Sequence, residues 1–167
     1  ASYSVDTSNK IWTVTEDFTL HTYSVESIER IAFSNKIIAY DIDENAGNTV
    51  KLLGLLLGKD QATNKTYVGA GLKLLDDGMT YEQLMGAALD VVLGANASSL
   101  SVVELIWNNL IGPPTPADNI SQYSALIDNG AYTSAGLAIV AANHDLNATN
   151  IDLVGLAQTG VEYIPYG

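Results

Sequence analysis

The sequence predicts an α+β domain that is mostly α, with a short N-terminal β segment and hairpin followed by about seven helices in two three-helix repeats. Three observations carry this. The apolar period is near two before residue 45 and helical after it. Small residues and leucines become dense at the same point. Blocks of sequence then recur 52 to 54 residues apart. The organisation expected is a β-strand segment over 1–45, a candidate cap for a β-roll, and a helical repeat domain over 46–167.

In the β segment, Ile11–Val14 and Phe18–Tyr23 alternate β-branched and aromatic residues with polar ones, as half-buried strands do. Ile28–Phe33 and Ile37–Tyr40 flank Ser34-Asn35-Lys36 and read as a hairpin, with Asn35 as the residue taking a positive φ. From Ala46 on, Val50, Leu53, Leu56 and Leu57 mark a first helix ended by Gly58. A second runs from about Asn64 to Asp76 and stops at Gly78, where glycine can take the left-handed conformation. Thr80-x-x-Gln83 is a capping-box pattern for a third. Ser99 or Ser101 caps a fourth through Val102, Leu105, Ile106 and Leu110. Thr115-Pro116 opens a fifth, ending at Gly130. A sixth starts at Thr133, and a seventh begins near Asn150.

The repeat is read from two alignments. Leu52–Gly58 matches Ile106–Gly112, and Leu74-Leu75-Asp76-Asp77-Gly78 matches Leu126-Ile127-Asp128-Asn129-Gly130. One such unit leaves an apolar face wet, so the two copies are expected to pack together as one body.

Composition narrows the function classes. Nineteen acidic residues oppose seven basic ones, a net charge of −12. That disfavours nucleic acid, whose binding depends on basic groups, and anionic membrane surfaces alike. No cysteine is present, so thiolate chemistry and Cys-based zinc sites are excluded. No apolar run approaches the roughly 18 to 20 residues of a membrane span, since Leu52–Leu57 stops at Gly58. The chain opens at Ala1 with no basic and apolar leader, as a mature or excised piece would.

The richest candidate for chemistry is Asp41-Ile42-Asp43-Glu44-Asn45-Ala46-Gly47. Asp41, Asp43 and Asn45 place oxygens at alternate positions, which suits a hard cation such as calcium. The bidentate glutamate of an EF-hand is missing, because the twelfth position is Leu52. Alternatively Asp43 or Asn45 caps the first helix and the acids are solvated. Asp145-x-Asn147-x-x-Asn150-x-Asp152 is a second oxygen-rich turn, expected to cap the last helix. Asp76-Asp77 and Asp128 stand at helix C-termini, where carboxylates oppose the dipole, which points to a local cation or to exposed termini, and exposure is the expectation. Catalysis finds little material: His144-Asp145 alone is a weak signal, and no nucleophile or phosphate-loop motif occurs. Trp12, Trp107 and the tyrosines read as core or rim. Asn64, Asn96, Asn119 and Asn147 begin N-glycosylation triplets, which in a bacterial protein rich in Asn and Thr would usually mean nothing.

The hairpin and acidic turn, Ser27–Ser34 followed by Ile38–Gly47, resemble the junction near the C-terminus of large bacterial proteins exported by the type I route, often with hemolysin-type (RTX) calcium-binding repeats. The helical copies, Ile106–Gly112 with Leu126–Gly130, resemble the DUF4214 family, and Asn150–Tyr163 is similar to the end of such proteins. The resemblance covers roughly residues 25 to 163. It departs at Glu44, where the family carries glycine, and in lacking the glycine-rich nonapeptides. It implies a non-enzymatic C-terminal domain of a secreted bacterial surface protein with calcium as its ion and the type I secretion machinery as a partner. It also implies an extracellular or cell-surface location. The alternative is a self-assembly or ligand-binding module contacting a surface layer, a filament or a glycan.

Overall fold

A computed structural model describes residues 29–167 throughout and, before them, the backbone of three strands. These are β1 (Tyr3–Asp6), β2 (Ile11–Glu16) and β3 (His21–Glu26), an antiparallel meander in the order β1-β2-β3, with Val5 opposite Val14 and Val14 opposite Tyr23. The side chains of Trp12 and His21, and Phe18 entirely, lie outside the described residues.

A second antiparallel sheet joins the hairpin to the far end of the chain. β4 (Arg30–Ala32) and β5 (Ile37–Ala39) pair as expected, closed by the Phe33 N–H donating to the Lys36 carbonyl at 2.8 Å. Asn35 does not take a positive φ; among the described residues the non-glycine ones that do are Asn96, Asn119 and Asp152. The third strand is β6 (Val161–Tyr163), which pairs with β5 so that Ala39 faces Val161. Both are almost fully buried.

Eight α-helices follow among the described residues, one more than expected: α1 (Asn45–Leu57), α2 (Lys65–Asp76), α3 (Tyr81–Leu93), α4 (Ser99–Leu110), α5 (Ser121–Asp128), α6 (Ser134–Ala142), α7 (Asp145–Asn150) and α8 (Leu153–Thr159). Their starts follow local chemistry. Asn64 accepts from the N–H groups of Thr66 and Tyr67, and Thr133 from Gly136. Thr80 and Gln83 form the full capping box. The α4 cap is Ser98, not Ser99 or Ser101, accepting from the Ser101 N–H at 3.1 Å. Pro116 opens only a short 3-10 turn, because Asn119 then goes left-handed and α5 must start afresh at Ser121. The additional helix is α7, capped by His144; α8 starts after Asp152, whose carboxylate accepts from Gly155 at 3.2 Å.

The duplication is visible as order of elements. α1, a 3-10 turn at Lys59–Gln61, α2 and α3 are matched by α4, a 3-10 turn at Pro116–Asp118, α5 and α6. The second helix of each copy ends on a glycine with positive φ, Gly78 at 99° and Gly130 at 78°, where any side chain would be strained. α1 packs on α4 and α3 on α6, so each meets its own counterpart, and one core runs through both copies and the sheet.

At the centre lies α1, in contact with α2, α3, α4, α6 and α7. Val50, Leu52, Leu53, Leu55 and Leu56 are all buried, each stabilising the fold by roughly 1.5–3 kcal/mol. Burial all round a helix leaves its flanking carbonyls to be met by side-chain amides. Asn109 donates to the Leu55 carbonyl at 2.8 Å and Asn150 to that of Leu110 at 2.9 Å. Asn147, 2% exposed, donates to Lys51 at 3.1 Å and to Ala142 at 2.8 Å, tying α7 to both α1 and the end of α6. Removing its amide strands buried acceptors, so Asn147→Ala is expected to cost about 2–3 kcal/mol. Thermal melting should show a fall of about 5–10 °C; an unchanged midpoint would show that water replaces the amide freely.

Candidate functional site

The acidic turn sits where β5 hands over to α1. Residues 40–44 reverse the chain through backbone bonds: Ile42 N–H to the Tyr40 carbonyl at 2.8 Å, and Glu44 N–H to the Asp41 carbonyl at 2.9 Å. Neither Asp43 nor Asn45 caps α1. Asp41 does, its Oδ2 accepting from the Ala46 N–H at 3.1 Å, while the nominal cap residue Glu44 makes no side-chain bond. Gly47 lies inside the first turn of α1 with an ordinary helical φ. A Cβ there would run into the carbonyl of Ile42. This glycine serves close approach rather than turn conformation.

The other oxygen of Asp41 accepts from Arg30 Nη1, and the Asp41 side chain is 5% exposed. Arg30, the chain's single arginine, reaches out of β4 and also meets both oxygens of Asp76 at 3.4 Å. Asn45 donates to Asp76 at 2.7 Å. Asp76 is exposed at the α2 C-terminus, as expected, and has a cation and an amide against it as well. Its neighbour Asp77 pairs with Lys73 at 2.7 Å. Burial of the Arg30 guanidinium acts to lower its pKa, but the hydrogen bond and charge of Asp41 and the charge of Asp76 outweigh this and hold it above its ordinary value. The cluster thus links β4, the turn, α1 and the end of α2.

Of the three calcium candidates, then, Asp41 has both oxygens engaged by protein donors, Asn45 turns its amide to Asp76, and Asp43 is exposed. Among the described residues no group of three or more His, Asp or Glu side chains is gathered as an ion cage. An ion at this turn has Asp43 and the neighbouring exposed Glu44 to meet, and it competes with Arg30 for Asp41.

The remaining candidates fall into structural places. His144 Nδ1 accepts from Leu146 N–H at 3.1 Å as the α7 cap. The Asp145–Asp152 turn supplies a cap and two helix-to-helix amides. Of the glycosylation triplets, Asn64 is a cap and Asn147 is buried, whereas Asn96 and Asn119 are exposed. Trp107 lies against Tyr123, ring centroids 5.6 Å apart, on the wall of a groove. The hydroxyl of Tyr81 is buried with no hydrogen-bond partner among the described residues, and burial pushes its pKa up.

Two apolar grooves were missed by the sequence reading, although the repeat contained the signal. One, about 330 Å³, lies between α1, α2 and α3; the other, about 270 Å³, between α4, α5 and α6 with His144 and Leu146. Leu53 and Leu57 in the first occupy the positions of Trp107 and Ile111 in the second, 54 residues on, and Ala87 and Val91 those of Val140 and His144, 53 residues on. No helix among the described residues is long and apolar enough to cross a membrane. Comparison with known proteins adds no relative: no protein-family model, no curated protein and no solved structure matches the chain.

Proposed function

We propose that this chain is a non-enzymatic domain of a secreted bacterial surface protein that folds after type I export with the help of calcium. The supporting observation is the charge distribution. Nineteen acids face seven basic residues, and the described ion pairs engage only Asp41, Asp60, Asp76, Asp77 and Glu162. Three of these five partners' pairs lie on exposed lysines and add little stability. A compact state with this imbalance repels itself, and divalent cations from outside relieve the repulsion. Low cytosolic calcium then keeps the chain loose for export, and millimolar calcium outside draws it into the folded state by linkage. Cell-surface attachment and an extracellular location belong to the same reading, which also assigns no catalytic residue.

The test is thermal unfolding in calcium, in chelator, and in sodium chloride of matched ionic strength. A weak extracellular-type site, with affinity near 0.1–1 mM, should raise the melting temperature by about 3–6 °C beyond the sodium control. Asp43→Ala is the informative variant, since Asp41 also serves Arg30, and it should lose a measurable part of the calcium shift. Equal melting in calcium and in matched sodium would overturn calcium-assisted folding.

A further inference from the structure

The second sheet is completed by the far end of the chain, and the place that receives it is a slot for an extended strand. One wall is the edge of β5, where Ile37, Ile38 and Ala39 stand opposite Tyr163, Glu162 and Val161. The other is α2, whose Lys65 carbonyl accepts from the Ile164 N–H at 3.0 Å. Gly69, one helical turn on, leaves the room that the Ile164 carbonyl fills; a Cβ there would run into it. Val161 is the buried anchor, 1% exposed and opposite Ala39 at 0%. Lys65 Nζ meets Glu162 Oε1 at 2.6 Å, a pair whose side chains stay 51% and 37% exposed. Backbone pairing along a sheet edge with a buried side-chain anchor is how strand-addition sites hold their ligands.

The strand is held by this slot more than by the element it follows. α8 has no fully buried residue and packs chiefly on α7. It passes to β6 through Gly160, whose φ of 70° makes a hinge open to few other residues. Release of residues 161–164 leaves the helical core in place and bares the β5 edge, a template for another strand. What fits that template is fixed by the contacts above, and a second copy of the chain carries the same segment. We propose that copies of this chain exchange this strand: residues 161–164 of each seat in the slot of the other, giving a closed two-fold dimer. Every contact of the slot is repeated in the exchanged pair, so no new complementary surface is needed. The main opposition is repulsion between two chains of net charge −12. In its own chain the tethered strand competes at an effective concentration on the order of 1 mM, so exchange becomes visible as the protein nears that concentration or is warmed toward melting. Neither calcium nor the apolar grooves takes part.

The chain has no cysteine, so introduced thiols report the exchange cleanly. Ala39→Cys and Val161→Cys place sulfurs at directly opposed strand positions, within disulfide reach. The double variant should bridge within one chain; failure to do so would overturn the β5–β6 register on which exchange rests. The two single variants, mixed in chelator and about 0.15 M salt, warmed, cooled and oxidised, should give a covalent dimer on a non-reducing gel. Neither alone should give one. A mixture that stays monomeric while the double variant bridges would overturn exchange, and so would equal covalent dimer in the single variants, the mark of random thiol collision. Lys65→Glu and Glu162→Lys repeat the test on exposed side chains, with no change to the core. Each alone sets like charges across its own slot, and reciprocal exchange in the mixture restores both pairs. At low salt the mixture should hold about threefold or more dimer than either variant alone in sedimentation velocity, an excess lost at about 1 M sodium chloride. Equal dimer in all three samples would overturn the role of the slot. Wild type should show monomer and dimer only; larger species would overturn the closed two-fold form, and monomer at every concentration would overturn exchange.

Discussion

Gly47→Ala is expected to cost about 4 kcal/mol or more, enough to unfold a domain whose total stability lies in the usual range of about 5–15 kcal/mol when any second stress is added. The added methyl would meet the carbonyl oxygen and carbon of Ile42 well inside contact distance, and these are backbone atoms with no rotamer to yield. The clash separates α1 from the turn that positions it. Because α1 touches five other helices, the loss propagates through the whole core. Gly78→Ala is the control. Its φ of 99° is strained for alanine, but nothing lies within 4 Å of the new methyl, so the cost should be near the 1–2 kcal/mol of the left-handed conformation. Urea unfolding of both variants gives the comparison. A Gly47→Ala midpoint at or above that of Gly78→Ala would mean that the turn moves aside at little cost.

Asp41→Ala is expected to destabilise by about 2–3 kcal/mol, somewhat below the 3–5 kcal/mol of a fully buried pair because the Arg30 side chain keeps 21% exposure. Three interactions go together: the cap on the Ala46 N–H, the bond to Arg30 Nη1, and the neutralisation of a guanidinium that then retains Asp76 alone at 3.4 Å. The melting temperature should fall by about 5–10 °C in chelator and in calcium alike. The double variant Arg30→Met/Asp41→Ala should recover part of the loss, since no half-buried charge is left unpaired. A loss that appears only in calcium would make ion binding, rather than the arginine, the main work of Asp41.

The acidic turn shows how far residue pattern alone reaches. Oxygens at Asp41, Asp43 and Asn45 followed by Gly47 suit either a cation or a helix start. What selects among their roles is Arg30 arriving from β4 and Asp76 from the end of α2, up to 46 residues away. The same holds at the C-terminus. Val161-Glu162-Tyr163 has too few residues to declare a strand, and becomes one because β5 offers an unpaired edge and α2 a carbonyl at Lys65 for the Ile164 N–H at 3.0 Å. Asn147, read as a turn residue, is buried because two helices converge on it.

The sequence by itself determined the α+β class, the turnover from strands to helices near residue 45, the capping box at Thr80, the helix starts near Asn64 and Thr133, the glycine stops at Gly58, Gly78 and Gly130, and the duplication. All of these are written within one helical turn or one repeat, where backbone donors, φ preferences and apolar period act locally. The tertiary structure alone decided the third strand of the second sheet, the partners of Asp41 and Asp76, the burial of Asn147 and which apolar side chains stay uncovered in the two grooves. Each depends on groups far apart in the chain meeting in space, and on which faces remain uncovered once the core is full.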